Sequence, residues 1–363
     1  MVYLLSILSF SGLTVGLAAM LITAERFLIS YSICRLDINA GEKVMEVAGG
    51  QTLLSALYAN EIFIPSACGG KGTCGHCKVT VIAGGGPVLP TETPYLTRKE
   101  IRSNLRLACQ VKIREDIYVR IPEDLLNVRM FTATVETSID LTYDMKEIRL
   151  RLNDPPEILH RPGQYVQVQA PSPDGPVFRA YSISSPVYEP NIVQLVVRLV
   201  PGGIGSTFLH NVKSGDTVYF TGPYGEFWLD EDPLVEIVCV GGGCGIAPMR
   251  NIIYTLYDRW PERVCWLFFG CRTTRDVFYL EQFEELAKKH PNFHVVFALS
   301  EQLGKDEKWD GETGFIHLSV DKYLEPGTRR QAFLCGPEPM IEAVTKVLDE
   351  KETNPKNIFY DKF

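Results

Sequence analysis

The first 24 residues contain no Asp, Glu, Lys or Arg, and nothing basic precedes Arg26. The basic leader of a secretory signal peptide is therefore missing. No block of Lys and Arg occurs anywhere and the net charge is −8, which leaves nucleic-acid binding without support. Apart from one tight cluster, the ten cysteines show no regular framework. That argues against a disulfide-stapled secreted domain and for a reducing, cytoplasmic setting. No internal repeat or low-complexity tract is present. With 45% apolar and 22% charged residues over 363 positions, the chain reads as a packed protein of two or three domains.

What the N-terminus does contain is an uncharged run at residues 2–24. As a helix it extends about 34 Å, sufficient to cross a bilayer. Ser9, Ser11, Gly12 and Gly16 are tolerable in such a span and suit packing on another helix. Arg26, Arg35 and Lys43 follow it, which places the rest of the chain on the cytoplasmic side.

The most informative motif is Cys68-Gly-Gly-Lys-Gly-Thr-Cys74-Gly-His-Cys77, with a fourth cysteine, Cys109, 32 positions later. Three thiolates in a Gly-rich loop plus one distant thiolate suit a [2Fe–2S] cluster, in which each iron takes two. Zinc is the competing ligand for Cys-x-x-Cys, but zinc sites usually show two such pairs and here there is one. Unliganded core cysteines are the third alternative. Around the motif, apolar residues alternate at 34–38, Thr52 caps a helix to Ala59, a strand follows at 77–82, and 111–121 alternates again.

From Phe131 onward, alternating segments at 131–136, 146–152, 165–170, 192–199 and 216–221 predict an antiparallel barrel. Within it lies Arg179-Ala180-Tyr181-Ser182, followed by Val197-Arg198 and then Gly202-Gly203-Ile204-Gly205-Ser206-Thr207. A tyrosine face offers broad contact to an isoalloxazine ring. A guanidinium pairs two pyrophosphate oxygens, and glycines before Ser-Thr at a helix start present free amides to phosphate. Arg-x-Tyr-Ser alone is equally an ordinary strand. The ordered set, closed by Gly222-Pro223-Tyr224-Gly225, points to FAD.

Beyond Leu234 the pattern becomes strand–helix alternation, with apolar runs at 235–240, 264–269, 293–299 and 332–335. That predicts a parallel sheet. Gly241-Gly242-Gly243-Cys244-Gly245-Ile246-Ala247-Pro248 sits at a strand-to-helix turn, where a pyrophosphate can approach the backbone. It lacks the G-x-G-x-x-G spacing, and a tight structural turn explains it equally well in isolation. Cys335-Gly336-Pro337-Glu338-Pro339-Met340 follows another strand. There Cys335 is either a thiol beside a nicotinamide or a buried apolar filler. Arg272 and Arg275 are either adenosine contacts or solvated loop charges.

These blocks in this order resemble the ferredoxin reductase superfamily joined to an N-terminal ferredoxin domain. With 309–317, the C-terminal 357–363 and the uncharged N-terminus, the whole chain is similar to the family of F subunits of the sodium-translocating NADH:quinone oxidoreductase. The cluster loop of that family also has five residues in its first gap.

The resemblance implies a multidomain protein: a transmembrane helix at 1–24, a tether at 25–32, an α+β ferredoxin-like [2Fe–2S] domain at 33–125, an antiparallel β-barrel FAD domain at 126–230 and an α/β parallel-sheet NAD domain at 231–363. It implies cluster ligation by Cys68, Cys74, Cys77 and Cys109. FAD binding falls to Arg179, Ala180, Tyr181, Ser182, Val197, Arg198, Gly203, Gly205, Ser206 and Thr207, and NADH binding to Gly242, Gly243, Gly245, Pro248, Gly336, Pro337 and Met340. Cys335 is expected near the nicotinamide, and Phe363 over the flavin ring until NADH displaces it. The expected activity is electron transfer from NADH through FAD and [2Fe–2S] to other membrane subunits, with sodium transport as a possible coupling. Alternatives are a reductase component of an oxygenase and a tethered electron carrier without NADH turnover. The chain departs from the family in lacking a segment before Arg179 and in carrying Cys244 where a small residue such as Ala is usual.

Overall fold

The computed structural model describes residues 10–20, 32–173, 175–304, 307–327 and 329–362. Residues 10–20 form a helix (α1). Among the described residues no helix is long and apolar enough to cross a membrane. The expected span at 2–24 extends beyond the described residues on both sides, as does most of the tether. The rest forms two compact units, one running to Ile64 and resuming over Gly70–Leu126, the other comprising Pro65–Gly69 and Asn127–Phe363.

The first unit holds β1 (Ile33–Ile38), β2 (Lys43–Ala48), α2 (Leu53–Ala59), β3 (Lys78–Ala83), α3 (Arg98–Arg102), β4 (Leu105–Leu107), β5 (Ile117–Arg120) and α4 (Glu123–Leu126). Its sheet runs β2-β1-β5-β3-β4, with β1 and β5 parallel. Alternation in β1 buries Cys34, Leu36 and Ile38 against Leu53 and Leu57 of α2. Thr52 caps α2 by accepting the Ser55 amide at 3.1 Å. The alternating 111–121 segment is not one strand. Only Ile117–Arg120 pairs as a strand, while Val111 and Ile113 are buried on either side of a single bridge between Thr52 and Lys112. β2, unread in the sequence, is an edge strand with exposed charges, so its apolar signal is weak.

The second unit begins with six antiparallel strands: β6 (Arg129–Asp140), β7 (Met145–Asp154), β8 (Tyr165–Ala170), β9 (Val177–Ser182), β10 (Ile192–Arg198) and β11 (Thr217–Tyr224), with α5 (Ile204–Asn211) after β10. Their order is β10-β7-β6-β11-β8-β9. A bridge between Ile183 and Leu195 brings the two ends of the sheet together, as barrel closure requires.

There follow β12 (Glu236–Gly242), α6 (Ile246–Arg259), β13 (Cys265–Cys271), α7 (Leu280–Lys289), β14 (Phe293–Leu299), β15 (Glu312–Thr313), α8 (Ile316–Tyr323), β16 (Arg330–Gly336), α9 (Glu338–Glu350) and β17 (Ile358–Lys362). The all-parallel order β15-β14-β13-β12-β16-β17 reverses direction between β12 and β16. In open α/β sheets that reversal opens the crevice in which ligands bind. The strands are buried on both faces by separate apolar clusters, which is why they read as continuous apolar runs.

A polar seam joins barrel and parallel sheet. Asn251, fully buried in α6, donates through Nδ2 to the Ser185 carbonyl, and that nitrogen lies 3.0 Å from His160 Nε2. Burial depresses the His160 pKa to about 4. The imidazole is therefore neutral in the folded chain. Below the unfolded value near 6.5 the unfolded chain binds a proton that the folded chain refuses. Stability is thus full above about pH 6.5 and falls by about 1.4 kcal/mol per unit down to about pH 4. Denaturant titrations at neutral pH and near pH 5 should differ accordingly, and His160→Gln should flatten that slope.

Candidate functional site

The cysteine loop gets its path from glycine. Gly69, Gly70, Gly72 and Gly75 all have φ between 65° and 85°, where a side chain is strained. Cys77 and Cys109 are buried, while Cys68 and Cys74 are half-buried. The Cys77 carbonyl accepts the Ala108 amide at 2.8 Å, which holds Cys109 beside the loop. The Cys77 thiol pKa is raised, first by its hydrogen bond with Cys109, then by burial, with the charges of Cys109 and Cys74 adding to it. Crowded thiols of this kind ionise together only when cations neutralise them. Gln110 Nε2 lies 3.6 Å from Cys109 Sγ, an outer partner for a sulfur ligand. Among the described residues no three His, Cys, Asp or Glu side chains surround a single ion. A two-iron cluster asks instead for thiolates in pairs, and Cys77 lies close enough to Cys109 and Cys74 for each to shift its ionisation.

The flavin motif lies on β9, so it is a strand as well as a motif. The fold brings it to the first turn of α5. A Cβ on Gly205 would stand 2.6 Å from the Tyr181 hydroxyl and 2.8 Å from Arg179 Cγ. Gly205 is thus the one residue type that lets the motif and the Gly-Ser-Thr loop meet. Burial raises the Tyr181 pKa, so the phenol stays neutral. Not every expected contact shares this surface. Ser206 is buried, with Oγ accepting the Val200 amide at 3.1 Å, so its hydroxyl is engaged locally. Thr207 is exposed and Val197 sits in the barrel core. Arg198 turns the other way, its Nε 3.1 Å from Asp144, and lines a separate cavity. Gly205→Ala is expected to strip FAD from the purified protein, because the added methyl must displace Tyr181 or Arg179. Full flavin stoichiometry after gel filtration would count against it.

That cavity, about 430 Å³, lies at the carboxyl ends of the parallel strands. Gly242, Gly270, Ser300, Gly314 and Pro337 line it, each at or just beyond the end of a different strand. Gly243 has φ of 57° and Met340 closes one side. Gly245, Pro248, Cys335 and Gly336 are not among the residues that line it. A Cβ on Gly245 would run into the Cys335 carbonyl, so this glycine lets the turn before α6 pack on β16. Cys335 is 3% exposed, and burial pushes its thiol well above the usual range. Cys244 is pushed up to about 11 by burial, against the lowering influence of Arg198. Arg272 lines the cavity, held by Asp276 at 3.1 Å, whereas Arg275 lies over the Tyr143 ring instead. Sequence reasoning missed Thr142, Asp144 and Met145, which reach the cavity from the barrel, and Phe315 and His317 at the start of α8. The 142–145 turn carries no local signal because only tertiary folding brings it there. Phe363 lies outside the described residues.

Comparison with known proteins agrees with this geometry. The 2Fe-2S iron-sulfur cluster binding domain family matches residues 36–114, the oxidoreductase FAD-binding domain 132–228 and the oxidoreductase NAD-binding domain 239–346. The cavity and both Gly-rich turns thus fit NADH and FAD, and the thiol loop fits [2Fe–2S]. Among solved structures, the chain is similar to an Amycolatopsis cytochrome P450 reductase, GcoB (TM-score 0.72, 31% identity, 91% of this chain and 98% of that one). It is also similar to the ferredoxin reductase in carbazole 1,9a-dioxygenase (TM-score 0.68, 27% identity, 92% and 99%). It is 35% identical to the F subunit of the Na(+)-translocating NADH-quinone reductase of Neisseria meningitidis serogroup B, over 99% of each chain. That alignment extends over 403 positions, 40 more than the 363 residues of the chain. The chain therefore belongs to the family of F subunits of the Na(+)-translocating NADH-quinone reductase.

Proposed function

We propose that this NADH-dependent flavin and iron–sulfur oxidoreductase is the electron-input component of a membrane respiratory complex. The observation that carries the reading is the cavity at the strand ends, whose glycine-lined floor belongs to the same unit as the flavin motif. When bound, FAD accepts a hydride as an electron pair and releases electrons singly, and the [2Fe–2S] cluster carries them one at a time. In this reading the backbone at Gly242 and Gly243 admits the NADH pyrophosphate, with Met340 and Pro337 as apolar walls. Arg179 and Tyr181 hold FAD, assisted by the Ser206 amide and the exposed Thr207 hydroxyl, since the Thr207 amide donates to the Gly203 carbonyl at 3.0 Å. Cys335 and Cys244 are neutral thiols at physiological pH, so neither moves a proton and Cys335 acts by shape. Cys68, Cys74, Cys77 and Cys109 hold the cluster, and Phe363 covers the flavin ring.

Residues 2–24 anchor the chain as a single span, with the redox domains on the cytoplasmic side. Phe10, Leu13, Val15, Leu17 and Met20 in α1 are all more than half exposed, which suits an apolar surrounding. The partners are other membrane subunits, quinone is the eventual acceptor, and sodium movement is coupled elsewhere in the assembly. The second reading, an oxygenase reductase component, is favoured by the likeness to the P450 and carbazole dioxygenase reductases. Anaerobic rapid mixing with NADH tests the shared chemistry: the flavin band must bleach. Membrane fractionation with and without the first 24 residues then separates the readings. Loss of membrane association on truncation is expected, and a full-length chain in the soluble fraction favours the oxygenase reductase.

A further inference from the structure

Helix α6 touches both half-sites. Its first turn starts at the Gly242–Gly245 turn under the dinucleotide cavity. One turn later it is tied to residues 184–187, which closely follow the Arg179–Ser182 strand. Arg250 donates through Nη1 to the Ser184 carbonyl at 3.1 Å and to Gln194 Oε1 at 3.2 Å. Asn251 donates to the Ser185 carbonyl, lies beside His160 and accepts the Gly163 amide at 3.2 Å. Thr255 Oγ1 accepts the Val187 amide at 3.3 Å. The Arg250 guanidinium also lies over two rings, 5.0 Å from Tyr254 and 5.3 Å from Tyr279. The Tyr279 hydroxyl meets Glu147 of the barrel.

This seam is not the arrangement that stability alone would select. Ser184 Oγ and Arg250 Nε are both buried with no hydrogen-bond partner among the described residues. Tyr279 holds a left-handed φ of 62°, unfavourable for a side chain of its size. Unpaired buried polar atoms and backbone strain persist where a particular geometry is worth more than the energy it costs. An apolar interface would join the same two sheets more cheaply but would let them slide. Directional bonds to carbonyl and amide groups at 184, 185 and 187 fix the register instead.

We propose that Arg250 and Asn251 are positioning residues that set the nicotinamide half-site against the flavin half-site for hydride transfer. The inference rests on the NADH-to-FAD reading above. Neither side chain lines the dinucleotide cavity, so each acts through α6 and the 184–187 segment.

The test uses the full-length holoenzyme and the variants Asn251→Ala and Arg250→Lys. The rate of flavin reduction by NADH is expected to fall roughly 10- to 100-fold, the loss that misplacement by about 1 Å can cause. The isotope effect from deuterium at nicotinamide C4 should become fully expressed. The long-wavelength band formed by NAD⁺ over dithionite-reduced flavin should weaken. FAD and iron content, and NADH affinity within about threefold, should hold, because the binding residues are untouched. Arg250→Lys keeps the charge but loses the fork, so its loss should be the smaller of the two. An unchanged rate and band in both variants overturns the proposal. So does a rate loss that excess FAD restores, since that reports only weakened binding. Failure of the unmutated enzyme to bleach with NADH sinks the underlying reading, and the proposal with it.

Discussion

Replacing Cys74 by alanine is expected to yield a protein that NADH still bleaches at the flavin but that passes no electrons on. In the proposed reading the substitution removes one of four thiolates, and an iron left with a single thiolate cannot be retained. Cys74 is the informative choice because its side chain is half-buried, whereas Cys77 and Cys109 belong to the apolar core of their unit. Cys74→Ala therefore removes a ligand with little loss of packing. The flavin motif and the cavity proposed for NADH belong to the other unit, so hydride transfer should continue at its normal rate. The drop in cluster occupancy should exceed the roughly 100-fold that loss of an outer partner can cause. Visible absorbance, iron analysis and the low-temperature EPR signal of the reduced protein measure it. Normal iron content would contradict the assignment of Cys74 as a ligand.

Arg106→Ala should produce a large stability loss in the first unit, about 3–5 kcal/mol. Arg106 and Glu92 form an ion pair at 2.7 Å with side chains only 5% and 0% exposed. The guanidinium also donates to the carbonyls of Gly85, Gly86 and Pro87 at 2.8–3.0 Å. Glu92 accepts the Leu89 and Leu107 amides as well. Burial alone would raise the Glu92 pKa, yet Arg106 and these amides together hold it below the usual carboxylate range. Without Arg106 the carboxylate is left buried and unpaired, and the 85–92 loop loses its tie to the strand that leads into Cys109. Against a typical total stability of about 5–15 kcal/mol, that is a large share. Denaturant unfolding followed by cluster absorbance should show it. The double variant Arg106→Met with Glu92→Leu should recover much of the loss, because it removes both charges. A change below about 1 kcal/mol in the single variant would show that the pair is not buried in solution.

Local chemistry was legible in the sequence wherever it is compact along the chain. The Cys68–Cys77 spacing, the strand-end glycines at 241–245 and the apolar runs of the parallel sheet announce themselves, because glycine at positive φ and two-sided burial leave signatures within a few residues. The period-two alternation of the barrel did so as well. The tertiary structure alone decided which of these pieces meet. It turned Arg198 away from the flavin loop toward the cavity, drew the Ser206 hydroxyl inward and brought Thr142, Asp144 and Phe315 from distant turns to one wall. It also placed Asn251 and Arg250 on the barrel, a pairing 56 to 91 residues apart in the chain. The physical reason is that a backbone conformation depends on near neighbours, whereas the direction of a polar side chain depends on which carbonyl or carboxylate the fold delivers beside it.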